Sequence, residues 1–509
     1  MYMENDSVLE ESLKTFNYKD ENRLFNDYYS IKPPFGNSGI TINDETKNME
    51  YITFEPNMEK DEKEILEKIK KTIIDKVDIP YELLIDDENI IEYLKKIIQK
   101  EFKKYSKIFS QETMEKIEYF IQRDFIGYGK IDLLIRDEKI EDISCNGLGI
   151  PIYIWHRDYE SIPTNIVYDS EEELRSIIIR LAYKAGIQIS VSNPIVEGTL
   201  PNGFRIHLTL DEVSTRGHTF TIRKLRKNPY TLVDLIKSNT IDVKLAAYLW
   251  CLIENERSIM VSGSTGSGKT TLLNSICTFI KPEHKVVTIE DVRELTLSQN
   301  WIPMVARTSF QPNVKDITLF DLLKSALRQR PDFIVLGEIR GEEAYTLFQA
   351  IATGHGGICS IHSDSVESTL KRLESRPLNI PNSIIPLMNV IVQIRRLEED
   401  GQVLRKVTEV AEIVGNALDG TPIINKRFKW NSSTEKFEFI DPNKGDDYLL
   451  KKISEYNHLP VERILEEFNH KQVVLNWMVK SEISDQENVS KVVRDYYLNP
   501  NEIYQRASV

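Results

Sequence analysis

Lys269 and Thr270 sit near the end of the run Gly263-Ser-Thr-Gly-Ser-Gly-Lys-Thr-Thr271, which follows the apolar segment SIMVS and opens into LLNSICTF. The glycines Gly263, Gly266 and Gly268 let successive backbone N–H groups converge, and Ser264, Thr265 and Ser267 keep the turn small and polar. Such a turn between a strand and a helix cradles phosphate oxygens, and the helix N-terminus adds its partial positive charge. Lys269 then reaches the β- and γ-phosphates of ATP, Thr270 offers its hydroxyl to Mg2+, and Thr271 continues the first turn. The same composition fits a Gly/Ser-rich turn with an incidental lysine, but a strand before it and a helix after it favour the phosphate reading.

Three further segments carry chemistry. Arg330-Pro-Asp-Phe-Ile-Val-Leu-Gly-Glu-Ile-Arg340 reads as an apolar strand of Walker B type that delivers Glu338 to the carboxyl edge of a sheet, where open α/β folds bind ligands. There Glu338 can polarise an attacking water. The usual first acidic position is Gly337, so magnesium is expected to be held less directly. Val287-Thr-Ile-Glu-Asp-Val-Arg-Glu-Leu295 ends in Glu290, Asp291 and Glu294. These carboxylates can orient water around magnesium, or they are a solvated strand end. Thr353-Gly-His-Gly-Gly-Ile-Cys-Ser-Ile-His-Ser363 places His355 and His362 on either side of one strand. Imidazoles there can sense phosphate or bridge to Glu338, or simply cap the strand.

These residues need a parallel sheet, and the chain supplies its pattern after Tyr230. SIMVSG, KVVTIED, DFIVLGEIR and GICSIHS alternate with helical periods starting near Lys269, Leu319 and Glu342, the signature of strands buried on both faces. Upstream, helical spacing near 59–76, 90–106 and 110–124, the last capped at Ser110, predicts a helical subdomain. LLI, EDISCNG and IPIYIWHR predict short strands, and a helix is expected from Ser170 to Ala185. The expected organisation is an acidic flexible tail over 1–30, a hairpin and helical subdomain over 31–125, and an α+β domain over 126–224. A linker over 225–230, an α/β domain over 231–440 and a helical appendage over 441–509 complete it. LLKKISEYNHL, VERILEEF and VVLNWMV are spaced like a small bundle in that appendage.

Bulk composition bounds the function. The 509 residues are 41% apolar and 28% charged, ordinary for a folded chain too long for a single core. A net charge of -14 opposes general binding to phosphate backbones, so no direct nucleic-acid partner is expected. Cys145, Cys251, Cys277 and Cys359 are widely spaced, which suggests neither a disulfide framework nor zinc, and fits a reducing, cytoplasmic setting. The acidic N-terminus lacks a signal-like apolar run, and no stretch reaches the roughly 20 apolar residues of a spanning helix.

GSTGSGKT, TIEDVREL, DFIVLGEIRG and TGHGGICSIHSDS, in this order, resemble the Walker A, Asp box, Walker B and His box of the type II/type IV secretion ATPase superfamily. The resemblance covers most of 127–400, and the extensions at both ends are most similar to archaellum motor ATPases and archaeal pilus assembly ATPases. It implies a RecA-like P-loop ATPase domain with a parallel sheet and flanking helices, behind a PAS-like α+β N-terminal domain. It also implies a homo-hexameric ring, peripheral to the cytoplasmic membrane, that works on an integral-membrane platform protein. Carried over by position, Lys269 and Thr270 bind nucleotide and magnesium, Glu338 is the catalytic glutamate, and Glu290 or Asp291 supports metal and water. His355 and His362 fall in the His box. Family members bring arginines from the N-terminal domain onto the phosphates, a role that Arg205 and Arg223 fit here, each otherwise a surface residue. Arg340 is a further candidate, with a salt bridge to Glu342 or Glu343 as its alternative. Bacterial relatives often carry a tetracysteine zinc subdomain that this sequence lacks, so no zinc is expected. The implied function is ATP hydrolysis that powers an archaellum or pilus filament, with its rotation as a second output. Secretion or DNA transfer, and a nucleotide-gated scaffold without sustained turnover, are the alternatives.

Overall fold

In the computed structural model, which describes residues 25–43, 47–76, 96, 98–102, 110–226, 228–297, 300–307, 315–399, 402–439 and 448–508, the chain divides into the units Met1–Lys227 and Asn228–Val509. The first unit is built on one mixed sheet. Its strands are β1 (Phe25–Lys32), β2 (Gly36–Ile42), β3 (Met49–Phe54), β4 (Ile140–Cys145), β5 (Pro151–His156), β6 (Glu160–Val167), β7 (Ile195–Thr199), β8 (Arg205–Thr209) and β9 (Thr219–Arg223). They lie in the order β1-β2-β3-β6-β5-β4-β9-β8-β7.

The tail is shorter than the sequence suggests. β1 starts at Phe25, because the aromatics that look scattered in an acidic segment are its packing residues: Phe25 and Tyr28 meet Phe54 edge to face. Tyr29 and Tyr51 both donate their hydroxyls to Asp137, at 2.6 and 2.5 Å. Residues 1–24 of the expected tail lie outside the described residues. So does most of the helix expected over 90–106.

Helices α1 (Lys60–Lys76) and α2 (Gln111–Ile121) share a cluster that includes Ile69, Ile73, Ile117 and Phe120. Ser110 caps α2 by accepting the Thr113 N–H. The run LLI, expected as a strand, lies in a short helix α3 (Asp132–Arg136) whose leucines and isoleucine are buried. A brief apolar run buried on every side has no periodicity with which to separate the two. Helix α4 (Glu171–Lys184), capped by Ser170, joins the sheet core through Leu174, Ile178 and Leu181.

The second unit holds a sheet in the order β12-β11-β13-β14-β10-β15-β16-β17-β18. Its parallel part is β10 (Ile259–Gly263), β11 (Val286–Glu290), β12 (Trp301–Val305), β13 (Phe333–Leu336), β14 (Gly356–His362) and β15 (Val390–Glu399). β10, β11 and β13 are buried at every position, as a sheet covered on both faces requires. One face packs α5 (Leu232–Lys237), α6 (Val243–Glu254) and α7 (Lys269–Cys277); the other packs α8 (Leu319–Leu327), α9 (Glu343–Ala352) and α10 (Val366–Glu374). This is the expected RecA-like α/β domain. An extension absent from the sequence reading follows, in which β16 (Gln402–Asn416), β17 (Pro422–Asn431) and β18 (Lys436–Phe439) add antiparallel to β15.

Helices α11 (Tyr448–Asn457), α12 (Val461–Lys480), α13 (Gln486–Leu498) and α14 (Pro500–Ser508) complete the same core instead of forming an appendage. VERILEEF and VVLNWMV are one helix, since the polar residues between them include neither Gly nor Pro to stop it. Trp250 of α6 stacks on Phe279 at 4.7 Å. Its Nε1 donates to the Tyr497 hydroxyl at 2.9 Å, and that hydroxyl donates to the Phe279 carbonyl at 2.6 Å. Periodicity shows that a helix has a buried face but not what that face meets. No helix among the described residues is long and apolar enough to cross a membrane.

Trp250→Ala empties the contact between α6 and the C-terminal helices, and is expected to destabilise the second unit by about 3–5 kcal/mol. The shift of its urea midpoint measures this.

Candidate active site

The phosphate-binding turn is shaped by its glycines. A Cβ on Gly263 would stand 2.5 Å from both the Ile394 carbonyl and Ser267 Oγ, so only glycine fits between the turn and β15. Gly266 and Gly268 have φ of 72° and 95°, in the left-handed region that disfavours other residues. Ser267 Oγ donates to the Ser264 carbonyl at 2.8 Å and ties the turn to itself. Ser264 and Thr265 are exposed, while Thr270 and Thr271 are half-buried in the first turn of α7.

Lys269 is nearly buried. Its ammonium group donates back to the Ser264 carbonyl at 3.0 Å and lies 3.3 Å from His362 Nδ1. Burial pulls its pKa below the usual lysine value, and the charge of Glu338 partly offsets this. A phosphate in the turn would supply the negative charge that these neutral partners lack.

Strand order brings the next group into line. β14 lies between β10 and β13, and His362, at its end, pairs in register with Gly263. Its Nε2 is 3.3 Å from Glu338 Oε1. An ammonium donor at Nδ1 leaves the proton on Nε2, so the neutral ring accepts from Lys269 and donates to Glu338. Burial and the nearby lysine lower the His362 pKa, with Glu338 opposing them, which favours that neutral ring. Arg340 Nη2 then lies 3.1 Å from both Glu338 Oε2 and Asp291 Oδ2. The alternative pairing for Arg340 is not formed by its guanidinium: Glu343 Oε1 accepts the backbone N–H of Arg340 at 2.6 Å and of Gly341 at 2.7 Å.

The structure separates the two carboxylates of the Asp box. Asp291 is paired with Arg340. Glu290 is 3% exposed, and its Oε1 accepts the N–H groups of Glu294 and Leu295 at 2.9 and 3.0 Å. Its Oε2 is buried without a hydrogen-bond partner among the described residues. Burial pushes its pKa up to about 7, although the two amide bonds pull the other way. Gly337 now has a physical reason, since a Cβ there would come within 3.1 Å of Glu290 Cγ. Any side chain at 337 would need a small shift of Glu290 to be accommodated.

His355 is not part of this group, contrary to the expectation for the His box. It precedes the first residue of β14, whereas the site lies at the strand's other end, about 20 Å away for seven residues of extended chain. Its Nδ1 is 3.0 Å from the Ala350 carbonyl and 3.2 Å from Thr353 Oγ1, the capping alternative.

Arg205 and Arg223 belong to the first unit, where they face each other in register on β8 and β9. Like charges directly opposed destabilise a sheet, and here each has an acid: Arg205 Nη2 is 2.7 Å from Glu197 Oε2, and Arg223 Nε is 3.1 Å from Asp142 Oδ1. Sequence reasoning missed Arg405 of β16, whose Nε donates to the Gly266 carbonyl at 3.3 Å. Its only sequence signal is a charge in a long strand, and the antiparallel return that brings it to the turn was not foreseen. Arg372, whose Nη1 donates to the His362 carbonyl at 2.7 Å, was missed for the same reason: it acts on a neighbour distant in sequence. The four cysteines are each buried and free.

Comparison with known proteins bears on this site. Residues 133–416 match the family model described as type II/IV secretion system protein. An uncharacterized protein of Methanocaldococcus jannaschii is 33% identical over 89% of this chain and 86% of its own. A putative conjugal transfer protein of Mycobacterium tuberculosis is 31% identical over 50% of this chain and 74% of its own. Among solved structures, the VirB11 ATPase from the Brucella suis type IV secretion system, in complex with sulphate, is 28% identical, covers 54% of this chain and 90% of its own, and has a TM-score of 0.28. With the family model covering more than half of the sequence and a relative aligned along most of it, the chain belongs to the type II/IV secretion system protein family.

Proposed function

We propose that this protein is an ATP-hydrolysing hexameric motor that powers assembly of an archaellum or type IV pilus-like filament, acting on an integral-membrane platform protein. One observation carries the hydrolytic part: the continuous chain from Lys269 through His362 to Glu338 and on to Arg340 and Asp291. It couples the phosphate-binding lysine to the carboxylate that readies water. When ATP enters, Lys269 exchanges the Ser264 carbonyl for phosphate oxygens. His362 holds Glu338 by one oxygen, and Arg340 holds it by the other, which fixes the carboxylate for a water.

The residues present fit magnesium, because the partnerless buried oxygen of Glu290 is a hard donor of the kind that ion takes. Thr270 and Glu290 would hold it, and when bound it neutralises charge on the β- and γ-phosphates. Arg205 and Arg223 put two guanidinium groups on one sheet position, suited to the charge that grows in the transition state. The relative matched along most of its length is archaeal, in keeping with the archaeal branch of the resemblance. A secretion or transfer machine is the second reading, supported by the conjugal transfer name of another relative; the net charge of -14 disfavours direct handling of duplex.

The central test is Glu338→Gln. Phosphate release should fall by at least about 100-fold while ATP is still retained on the protein, and turnover at the wild-type rate would sink the hydrolytic reading. In Arg223→Ala, kcat should fall at least about tenfold with KM for ATP little changed, as steady-state kinetics will report. Glu290 yields a pH test. Its folded pKa of about 7 is above its ordinary value of 4.5, so the stability linked to its proton is present below pH 4.5 and lost as pH rises to 7. Glu290→Gln should therefore raise the nucleotide-free melting temperature over wild type at pH 8, by on the order of 2–3 kcal/mol of stability. That gain should shrink toward pH 4.5.

A further inference from the structure

The loop after β11 carries the two amides that hold Glu290, and a single residue at its far side, Thr296, is held from two directions. Thr296 donates its N–H to Asn274 Oδ1 of α7 at 2.9 Å. Its carbonyl accepts from Gln486 Nε2, on the first residue of α13, at 2.6 Å. Immediately upstream are Glu294 and Leu295, whose N–H groups meet Glu290 Oε1. Leu295 is fully buried in the core that also contains Trp250, and Leu297 packs against it.

Gln486 stands on a fixed support. Val489 and Val493 bury the near turns of α13, and at its far end the Tyr497 hydroxyl joins Trp250 to the Phe279 carbonyl. Just before the helix, the Ser484 carbonyl accepts from Thr231 Oγ1 at 2.9 Å. Asn274 is equally constrained, being 5% exposed in α7. Holding both polar groups of one residue sets its rotation, and with it the direction of the two amides that precede it.

We propose that Gln486, with Asn274, is a positioning residue for Glu290: the C-terminal helix α13 fixes the loop that aims this carboxylate. The inference rests on the reading above that Glu290 serves ATP hydrolysis. It goes beyond the family match, which ends at residue 416 and does not include α13.

The test uses the full chain and Gln486→Glu, which keeps size and packing, places an acid where a helix N-terminus accepts one, and turns a donor into an acceptor facing a carbonyl. The melting temperature should stay at the wild-type value, and KM for ATP should change by less than about twofold. kcat should drop roughly three- to tenfold, the scale of one ordinary hydrogen bond. Gln486→Lys restores an N–H donor and should recover most of the rate. In a Glu290→Gln background, where there is no carboxylate to aim, Gln486→Glu should cause no further loss of the single-turnover rate. Should Gln486→Glu lower the melting temperature, the donorless and uncharged Gln486→Met replaces it with the same expectations. A wild-type kcat in the donorless variants overturns the proposal, as does the same loss with and without Glu290→Gln. Absence of hydrolysis by the wild-type protein would instead overturn the functional reading itself.

Discussion

An ammonium group withdrawn from water at the start of α7 must find compensation, and the order of strands decides where it comes from. Because β14 separates β10 from β13, Lys269 meets an imidazole before it meets a carboxylate. A direct lysine–glutamate pair would neutralise both groups and leave neither for substrate. The intervening His362 keeps Lys269 short of negative charge and Glu338 held by a hydrogen bond. The glycines of the turn, the burial of β10 and Arg340 just beyond β13 all serve this arrangement.

The same sheet edge divides labour between two acids on neighbouring strands. Glu338 is exposed enough to meet water and is held by His362 and Arg340. Glu290 is buried beside Gly337 with one oxygen satisfied by amides and the other buried without a hydrogen-bond partner among the described residues. One environment suits a group that handles water and the other a group that faces a cation. The glycine in the usual acidic slot keeps the close approach of Glu290 to residue 337 free of crowding.

Much of this was legible in the sequence, for identifiable reasons. The phosphate turn, the four parallel strands that lead into Gly263, Glu290, Glu338 and His362, and the caps at Ser110 and Ser170 are local: their signals lie within a few residues of their effect. What the sequence concealed is what comes back from a distance. Arg405 reaches the turn only because β16 reverses on β15. β1 reads as tail in the sequence because its aromatics find their partners in β3 and at Asp137. LLI reads as strand because three apolar residues have no period. His355 groups with His362 in the sequence because both flank β14, although seven residues of extended chain set them at opposite edges of the sheet.

The joining of α11–α14 to the core around Trp250 has a consequence for biosynthesis. The segment 448–508 leaves the ribosome long after the phosphate turn, yet it supplies one wall of the hydrophobic interior on which that turn's helix rests. The first unit has its own core and can fold while translation continues. In the second, the apolar face that the late helices cover stays exposed until they emerge, and surface of that kind is what makes a nascent chain prone to aggregate.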